Sequence, residues 1–477
     1  LFIEENGMRF LCRENELRKM NRRYEAGKFE CIIIYGRRRV GKTALINEFC
    51  KNKKTVFFSA LRATAQENLK ALSKAIYECD HPETENYPVY QDFEAALDEI
   101  GRMGRDERLI FVIDEYPYLA KAYEAISSRI QHLIDHRWQE SRLYLILSGS
   151  SVSFMENQVL GYQSPLYGRR TAQFKIEKLT YKETATFYPN LTNEQNACVY
   201  GMTGGIPHYI NKLDIRDSLD EAVIDNIFDR SGYLFEEPEN LLKQELRDPG
   251  VYNSIIRAIA QGASKLNEIA TKTGLPSGVC TTYINTLMEL GILKKETPIT
   301  EKPGKKTIYL IDDNFFRFWY RFVPENYSLI VSGRFPSVYE RAVKSKMHDY
   351  MGPIFEKMCR EYLLRYAPDL PFELSDVGQW WGTDPKTRKQ VQIDIVGVPV
   401  RENEQRITEY LIGSCKFRNE KIGMDELTLL EDYAQVFGKG LRYRFVIFSL
   451  GGFTDELLEA AKTEGVQLIT LDDLYSL

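Results

Sequence analysis

The sequence predicts an α/β protein that opens with a doubly wound parallel sheet, continues through helices and a three-helix module with a hairpin, and ends in a second α/β unit. Three observations carry this. First, apolar runs of strand length, at 31–35, 55–60, 109–113, 143–148 and 172–177, alternate with helical stretches such as 65–79 and 118–135. Strands alternating with helices imply a parallel sheet covered on both faces. Second, Gly36-Arg37-Arg38-Arg39-Val40-Gly41-Lys42-Thr43 lies between the apolar run Cys31–Tyr35 and the helical stretch Ala44–Phe49. Strand, glycine loop, Lys-Thr and helix is the full context of a phosphate-binding loop. Third, the run Leu109–Ile113 closes on Asp114-Glu115, two acids at the carboxyl end of a strand, where open α/β sheets bind ligands.

The residue types fit nucleotide chemistry. Gly36 and Gly41 let backbone N–H groups wrap an anion with no Cβ in the way. Lys42 reaches the β- and γ-phosphates, the Thr43 hydroxyl holds Mg²⁺, and the helix opening at Ala44 adds its dipole. The predicted nucleotide-binding set is therefore Gly36, Arg37, Arg38, Arg39, Val40, Gly41, Lys42, Thr43 and Ala44. Asp114 fits a carboxylate that organises Mg²⁺, and Glu115 a base that orients or deprotonates the attacking water. The plainer reading, two acids capping a strand before Pro117, leaves their place at the strand's carboxyl end unexplained. The run Leu143–Leu147 ends in Ser148-Gly149-Ser150-Ser151, where the Ser148 hydroxyl is a candidate contact for the γ-phosphate or the water. The expected cofactors are ATP and Mg²⁺, and the expected reaction is hydrolysis to ADP and phosphate.

Length and composition bound the rest. The 477 residues suggest about three domains. The net charge of -5 gives no bulk attraction to nucleic acid or an anionic membrane, so any nucleic-acid site is a local patch. Eight cysteines stand singly, with no CxxC pair, and the five histidines show no metal-ligand spacing. This argues against structural zinc and disulfides, and for a reducing, cytoplasmic setting. The apolar runs are far shorter than a membrane span. Leu1-Phe2-Ile3 gives way at once to Glu4-Glu5, so no secretory signal is expected.

In chain order, residues 1–177 form the sheet core, entered through a helix marked by Glu14, Leu17, Met20 and Tyr24. Residues 178–250 read as a helical lid broken at Gly204-Gly205-Ile206-Pro207, with Pro207 suited to a first helical turn. Residues 251–315 read as a winged helix-turn-helix: helices Ser254–Gln261, Lys265–Thr273 and Ser277–Leu290, the last capped by Ser277, then strands Ile292–Thr297 and Thr307–Leu310. The loop Lys302, Pro303, Gly304, Lys305, Lys306 suits phosphate contact. The third helix carries Thr281, Thr282 and Asn285 rather than basic residues, so DNA contact and a packing or oligomerisation role stand level. Residues 316–345 read as an aromatic-rich connection, bracketed by Pro324 and Pro336, that glues domains together. Residues 346–477 form the second α/β unit, with a helix over Ser345–Tyr366, strands at 372–376, 390–397, 407–415, 443–449 and 466–470, and helices at 425–437 and 454–463.

Taken as a set, Arg13-Glu14-Asn15-Glu16-Leu17, the loop Tyr35–Thr43, Ile113-Asp114-Glu115, Leu147–Ser151, Pro165–Arg170 and Gly204–Pro207 resemble the archaeal-type P-loop ATPases, relatives of the AAA+ and STAND NTPases. The last third resembles the restriction-endonuclease-like domain appended to such ATPases. The first resemblance implies an arginine finger on the γ-phosphate, matched by Arg169 and Arg170, acting within the chain or on a neighbour. It also implies that Pro207 packs near the nucleotide and reports its state. The second implies a metal site at Glu356 and Asp394 with Lys416 beside it. Ser414 stands where that motif has an acid, and a hydroxyl is a poor ligand for a hard divalent ion. Glu426 on the following helix is one candidate to take over; the alternative is a domain that keeps the fold and only binds nucleic acid or protein, and reduced or absent cleavage is expected.

Two functions follow as expectations. One is an Mg²⁺-dependent ATPase whose downstream domains act on DNA, in processing or defence. The other is a nucleotide-controlled switch or scaffold that binds a protein partner or its own copies.

Overall fold

The computed structural model describes residues 2–3, 9–82, 86–302, 304, 306–401 and 407–476. Pro303 and Lys305 of the predicted basic loop lie outside the described residues. The chain divides into two compact units, Leu1–Leu179 with Ile206–Asn211, and Thr180–Gly205 with Lys212–Leu477.

The first unit begins with helix α1, Glu14–Glu25. Strand β1 (Glu30–Tyr35) follows, then α2 (Lys42–Cys50), β2 (Thr55–Ser59), α3 (Ala65–Asp80) and α4 (Phe93–Asp106). Next come β3 (Leu109–Asp114), α5 (Tyr116–Ala122), α6 (Ile126–Leu133), β4 (Leu143–Gly149) and β5 (Ala172–Lys175). The five strands form one parallel sheet in the order β2-β3-β4-β1-β5. β1, β3 and β4 are buried along their whole length, as strands covered on both faces must be. Alternate residues feed two cores: Ile32, Ile34, Val112 and Ile146 pack with Leu45 and Phe49 of α2, while Ile33, Ile113 and Leu145 face α3 and α4. Because the strands are parallel, their carboxyl ends share one edge, and Tyr35 stands level with Gly149.

The second unit starts helically. Its elements include α7 (Asn193–Thr203), α8 (Pro249–Ala260), α9 (Leu266–Thr273) and α10 (Ser277–Glu289). Ser277 is the first helical residue of α10 rather than its cap, because Pro276 occupies the capping position. The hairpin β6 (Leu293–Glu296) and β7 (Ile308–Ile311) is antiparallel. The aromatic segment differs from expectation. It is no connecting stretch but an 18-residue helix, α11 (Asn314–Val331), that runs through Pro324. Phe315, Phe316, Phe318, Trp319, Tyr320 and Phe322 are all buried, and Trp319 Nε1 donates to Phe235 O at 2.7 Å. That burial offsets the roughly 3 kcal/mol cost of an internal proline.

Helix α12 (Met347–Arg365) leads into β8 (Leu374–Thr383), β9 (Gln390–Pro399), β10 (Glu409–Lys416), α13 (Met424–Phe437), β11 (Arg442–Ser449), α14 (Asp455–Glu464) and β12 (Gln467–Thr470). These strands form a mixed sheet in sequential order, antiparallel from β8 to β10 and parallel from β10 to β12. Among the described residues no helix is long and apolar enough to cross a membrane, and the eight cysteines are free thiols.

Candidate active site

The loop between β1 and α2 gets its shape from positive backbone angles at Gly36 (φ 155°), Arg39 (φ 70°) and Gly41 (φ 90°). A Cβ on Gly36 would stand 2.3 Å from Ile176 O, so no other residue fits there. A Cβ on Gly41 would meet only the Pro207 Cγ, at 4.0 Å. Lys42 is 6% exposed, and its ammonium donates to Gly36 O at 2.9 Å and Arg37 O at 3.0 Å. Thr43 is the second residue of α2, and its hydroxyl donates to Asp114 Oδ2 at 3.0 Å.

β3 is separated from β1 by β4, so Asp114 faces the loop across about 10 Å of sheet. Its other oxygen, Oδ1, accepts the Glu115 N–H at 3.1 Å. Glu115 occupies the left-handed region (φ 52°), rare for a non-glycine residue and frequent at functional sites. Its Oε2 accepts from Ser150 Oγ at 2.8 Å and from the Ser150 N–H at 3.3 Å. Of the two serines closing β4, then, Ser150 meets the acid. Ser148 is fully buried in the strand beside Ile34, and its hydroxyl has no hydrogen-bond partner.

Two further groups brace the loop. The buried Arg13 donates through Nη2 to Val40 O at 3.3 Å and to Glu177 O at 2.6 Å. Arg38 donates to the Tyr118 hydroxyl of α5. Pro207 begins the helix Pro207–Lys212, whose Tyr209 ring lies 5.7 Å from the Arg39 guanidinium carbon. The His208 N–H donates to Arg39 O at 3.4 Å. Pro207 is thus brought beside Gly41.

Arg169 pairs with Asp135, whereas Arg170 stands close enough to Tyr35, the last residue of β1, for its charge to act on that phenol. β5 begins with Ala172 level with Ile32, so the residues before it lie toward the amino edge of the sheet, opposite the edge from which the loop leaves. The Arg169 guanidinium forms a forked pair with Asp135, at 2.9 and 2.8 Å. In this structure Arg169 is thus committed to Asp135. His132 and His136, one helical turn apart, have ring centroids 4.5 Å apart, and among the described residues no third ligand joins them.

In the second unit, Glu356 of α12 and Asp394 of β9 are half-buried near one another. Burial first, and the Asp394 charge second, push Glu356 up to about 8. Burial likewise raises Asp394, although Lys416 and the Cys415 N–H, 3.1 Å from its Oδ2, work the other way. Ser414 Oγ donates to Glu426 Oε1 at 2.6 Å, and Lys416 Nζ lies 3.0 Å from the same oxygen. Burial opposes the Lys416 charge, but Asp394 and Glu426 outweigh it and raise its pKa. Gln379 donates to Glu356. Among the described residues no three His, Cys, Asp or Glu groups gather closely enough to hold a metal ion. Glu356 and Asp394 thus come together as the resemblance implies, with the Lys416 ammonium acting on Asp394 and paired with Glu426.

A parallel sheet with the order β2-β3-β4-β1-β5, a glycine loop at β1 and acids at β3 defines a P-loop ATPase. Residues 10–213 match a family described as an ATPase domain predominantly from Archaea. Residues 319–426 match a family of archaeal and bacterial proteins of unknown function. An uncharacterised protein of Methanocaldococcus jannaschii is 32% identical over 441 residues, spanning 90% of this chain and 94% of that protein. An ATP-binding protein of the same organism is 51% identical over 45 residues, 9% of this chain and 76% of that protein. A Walker-type ATPase of Pyrococcus abyssi has the same fold, with a TM-score of 0.50 at 19% identity over 65% of this chain and 96% of that one. The chain belongs to this family of predominantly archaeal ATPases, and it binds nucleotide.

Proposed function

We propose that the first unit hydrolyses ATP with Glu115 as the water-directing base, and that nucleotide state governs DNA binding by the second unit. The observation that carries the catalytic part is the Thr43–Asp114 hydrogen bond with Glu115 next in the chain. A hydroxyl and a carboxylate converging at 3.0 Å are hard oxygen donors of the kind Mg²⁺ takes, and the open space above Gly41 admits phosphate. Thr43 and Asp114 would hold the ion, which supplies positive charge to the phosphate oxygens. The amides of Gly36–Ala44 and the Lys42 ammonium bind the β- and γ-phosphates. Lys42 rests on two carbonyls, which charged phosphate oxygens outcompete. Glu115 takes a proton from water once it leaves Ser150.

Coupling runs through Pro207. The segment Ile206–Asn211 packs with the first unit, yet both its flanks belong to the second. A shift in the loop at Arg39 or Gly41 therefore pulls directly on the second unit's chain. The order α8, α9, α10 and hairpin supports a winged helix-turn-helix, with Lys302 and Lys306 in its wing. Two measurements test this reading. Lys42→Ala should abolish ATP turnover, and unchanged turnover would overturn the site. Duplex DNA titrated at several salt concentrations should bind more weakly as salt rises. No salt-dependent binding with or without nucleotide would remove the DNA part and leave the ATPase standing.

A second reading, a nucleotide-controlled scaffold for a protein partner or its own copies, draws on charge. Lys306 is paired with Glu301 at 2.6 Å and Lys294 with Glu296 at 2.7 Å, so these two lysines already carry acidic partners. Helix α12, strands β8–β10, α13, β11, α14 and β12 follow the order of a restriction-endonuclease-like domain, but the Lys416–Glu426 pair favours a domain that binds without cutting. Sizing the chain with ATP, with ADP and without nucleotide distinguishes this reading, which requires a size change.

A further inference from the structure

A cavity of about 320 Å³ lies within the second unit, far along the chain from the phosphate loop. That volume is at the lower end of the range for small-ligand sites, roughly 300–1,000 Å³. One wall is apolar, made by Ile259 at the end of α8 and by Leu310 and Ile311 of β7. Arg317 and Arg321 of α11, one helical turn apart, also line it. Among the described residues neither guanidinium has an ion-pair or side-chain hydrogen-bond partner. Arg317 instead lies 5.9 Å from the centroid of the Tyr350 ring. That ring is itself fixed, because the Tyr350 hydroxyl donates to Gly201 O at 2.8 Å and Asn314 O at 3.0 Å. Other arginines of this unit are neutralised, Arg360 by Glu296 and Arg444 by Glu409.

Two like charges at this helical spacing repel, and an anion between them relieves that repulsion; the acids around them are Asp349 of the cavity lining and Glu356, on whose carboxyl the Arg317 charge acts. Guanidinium forks match the oxygens of a phosphate, and a phosphate with two such forks is held in one orientation. The apolar residues of the same cavity suit a flat organic group on the same molecule. Asp349, at the rim of the cavity, is the one acid among its lining residues.

We propose that this cavity binds a phosphorylated small molecule of nucleoside-monophosphate size, its phosphate between Arg317 and Arg321 and its base against Ile259, Leu310 and Ile311. The site is separate from the P-loop, and its existence does not depend on the reading of Glu115 or of the wing.

The test is calorimetric titration of cytidine monophosphate into the full chain, with the P-loop first saturated with Mg²⁺ADP, and repeated in a Lys42→Ala chain. One molecule should bind per chain in both. Cytidine should give no signal and inorganic phosphate should bind more weakly, because each supplies half of the recognition. Arg317→Gln with Arg321→Gln should weaken binding at least tenfold while ATP turnover stays unchanged. Arg321→Gln alone, at an exposed position, should weaken it severalfold even if the double variant folds poorly. Asp349→Asn should tighten binding by removing a repelling charge. Absence of binding to the parent chain, or equal affinity in the arginine variants, overturns the proposal. So does loss of duplex DNA binding in the arginine variants with no response to the monophosphate, which would assign the arginines to a nucleic-acid surface.

Discussion

Glu115 holds a backbone conformation that costs about 1–3 kcal/mol for a non-glycine residue, and its carboxylate is occupied by Ser150. The strain aims the side chain across the sheet edge, and the serine parks it. Glu115→Gln keeps the shape and removes the base, so turnover should fall by roughly 10²–10⁴-fold. Nucleotide binding, followed by fluorescence of a labelled ATP, should persist. If binding disappears along with turnover, Glu115 is structural rather than catalytic. Ser150→Ala should raise basal turnover severalfold, because the carboxylate is no longer held and no longer loses basicity to a donated hydrogen bond. A fall in turnover would mean that Ser150 orients the base instead of restraining it. Which serine mattered was not legible from the run Ser148-Gly149-Ser150-Ser151. The answer depends on where β4 stops, and a strand end shifted by one or two residues decides whether a hydroxyl is buried or reaches the site.

Elements with one dominant cause were readable: β1, β3 and β4 are unbroken apolar runs, and the glycine loop carries its own backbone requirement. Helix α11 was not, because Pro324 argues locally for a break while the aromatic packing that overrules it is tertiary. The part played by Arg13 was also hidden, although the sequence held a clue. A cation where α1 begins opposes the helix dipole, so it needs another reason to be there. That reason is its clamp on Val40 and Glu177, which ties the start of α1 to the phosphate loop and to the exit of β5. Arg13→Ala leaves two carbonyls short of a donor and should cost about 2–3 kcal/mol, read as a lowered denaturant midpoint. The loosened loop should also raise the ATP dissociation constant severalfold. An unchanged midpoint with unchanged ATP affinity would show that the loop keeps its shape without α1.

Composition shifts along the chain locate candidate boundaries at 177/178, 250/251, 315/316 and 345/346, whereas packing divides the molecule into two units and returns Ile206–Asn211 to the first. Such a return is non-local and leaves no mark on composition. The acidic cluster of the second unit has a consequence for stability that concerns the whole chain. Glu356 has an ordinary value of 4.5 and is pushed up to about 8 by burial and by Asp394. Between those two pH values the folded chain keeps a proton that the unfolded chain has lost, so unfolding free energy falls as pH rises through the window. Below pH 4.5 both states are protonated at Glu356 and its stabilising contribution is fully present. Glu356→Gln mimics the protonated acid at every pH. It should flatten this part of the profile and stabilise the chain near pH 8 by up to a few kcal/mol relative to the parent. The measurement is the unfolding midpoint of the full chain in denaturant from pH 5 to pH 9, for parent and variant together. Matching slopes in the two would mean that Glu356 is ionised throughout, and that its charge is already compensated inside the fold.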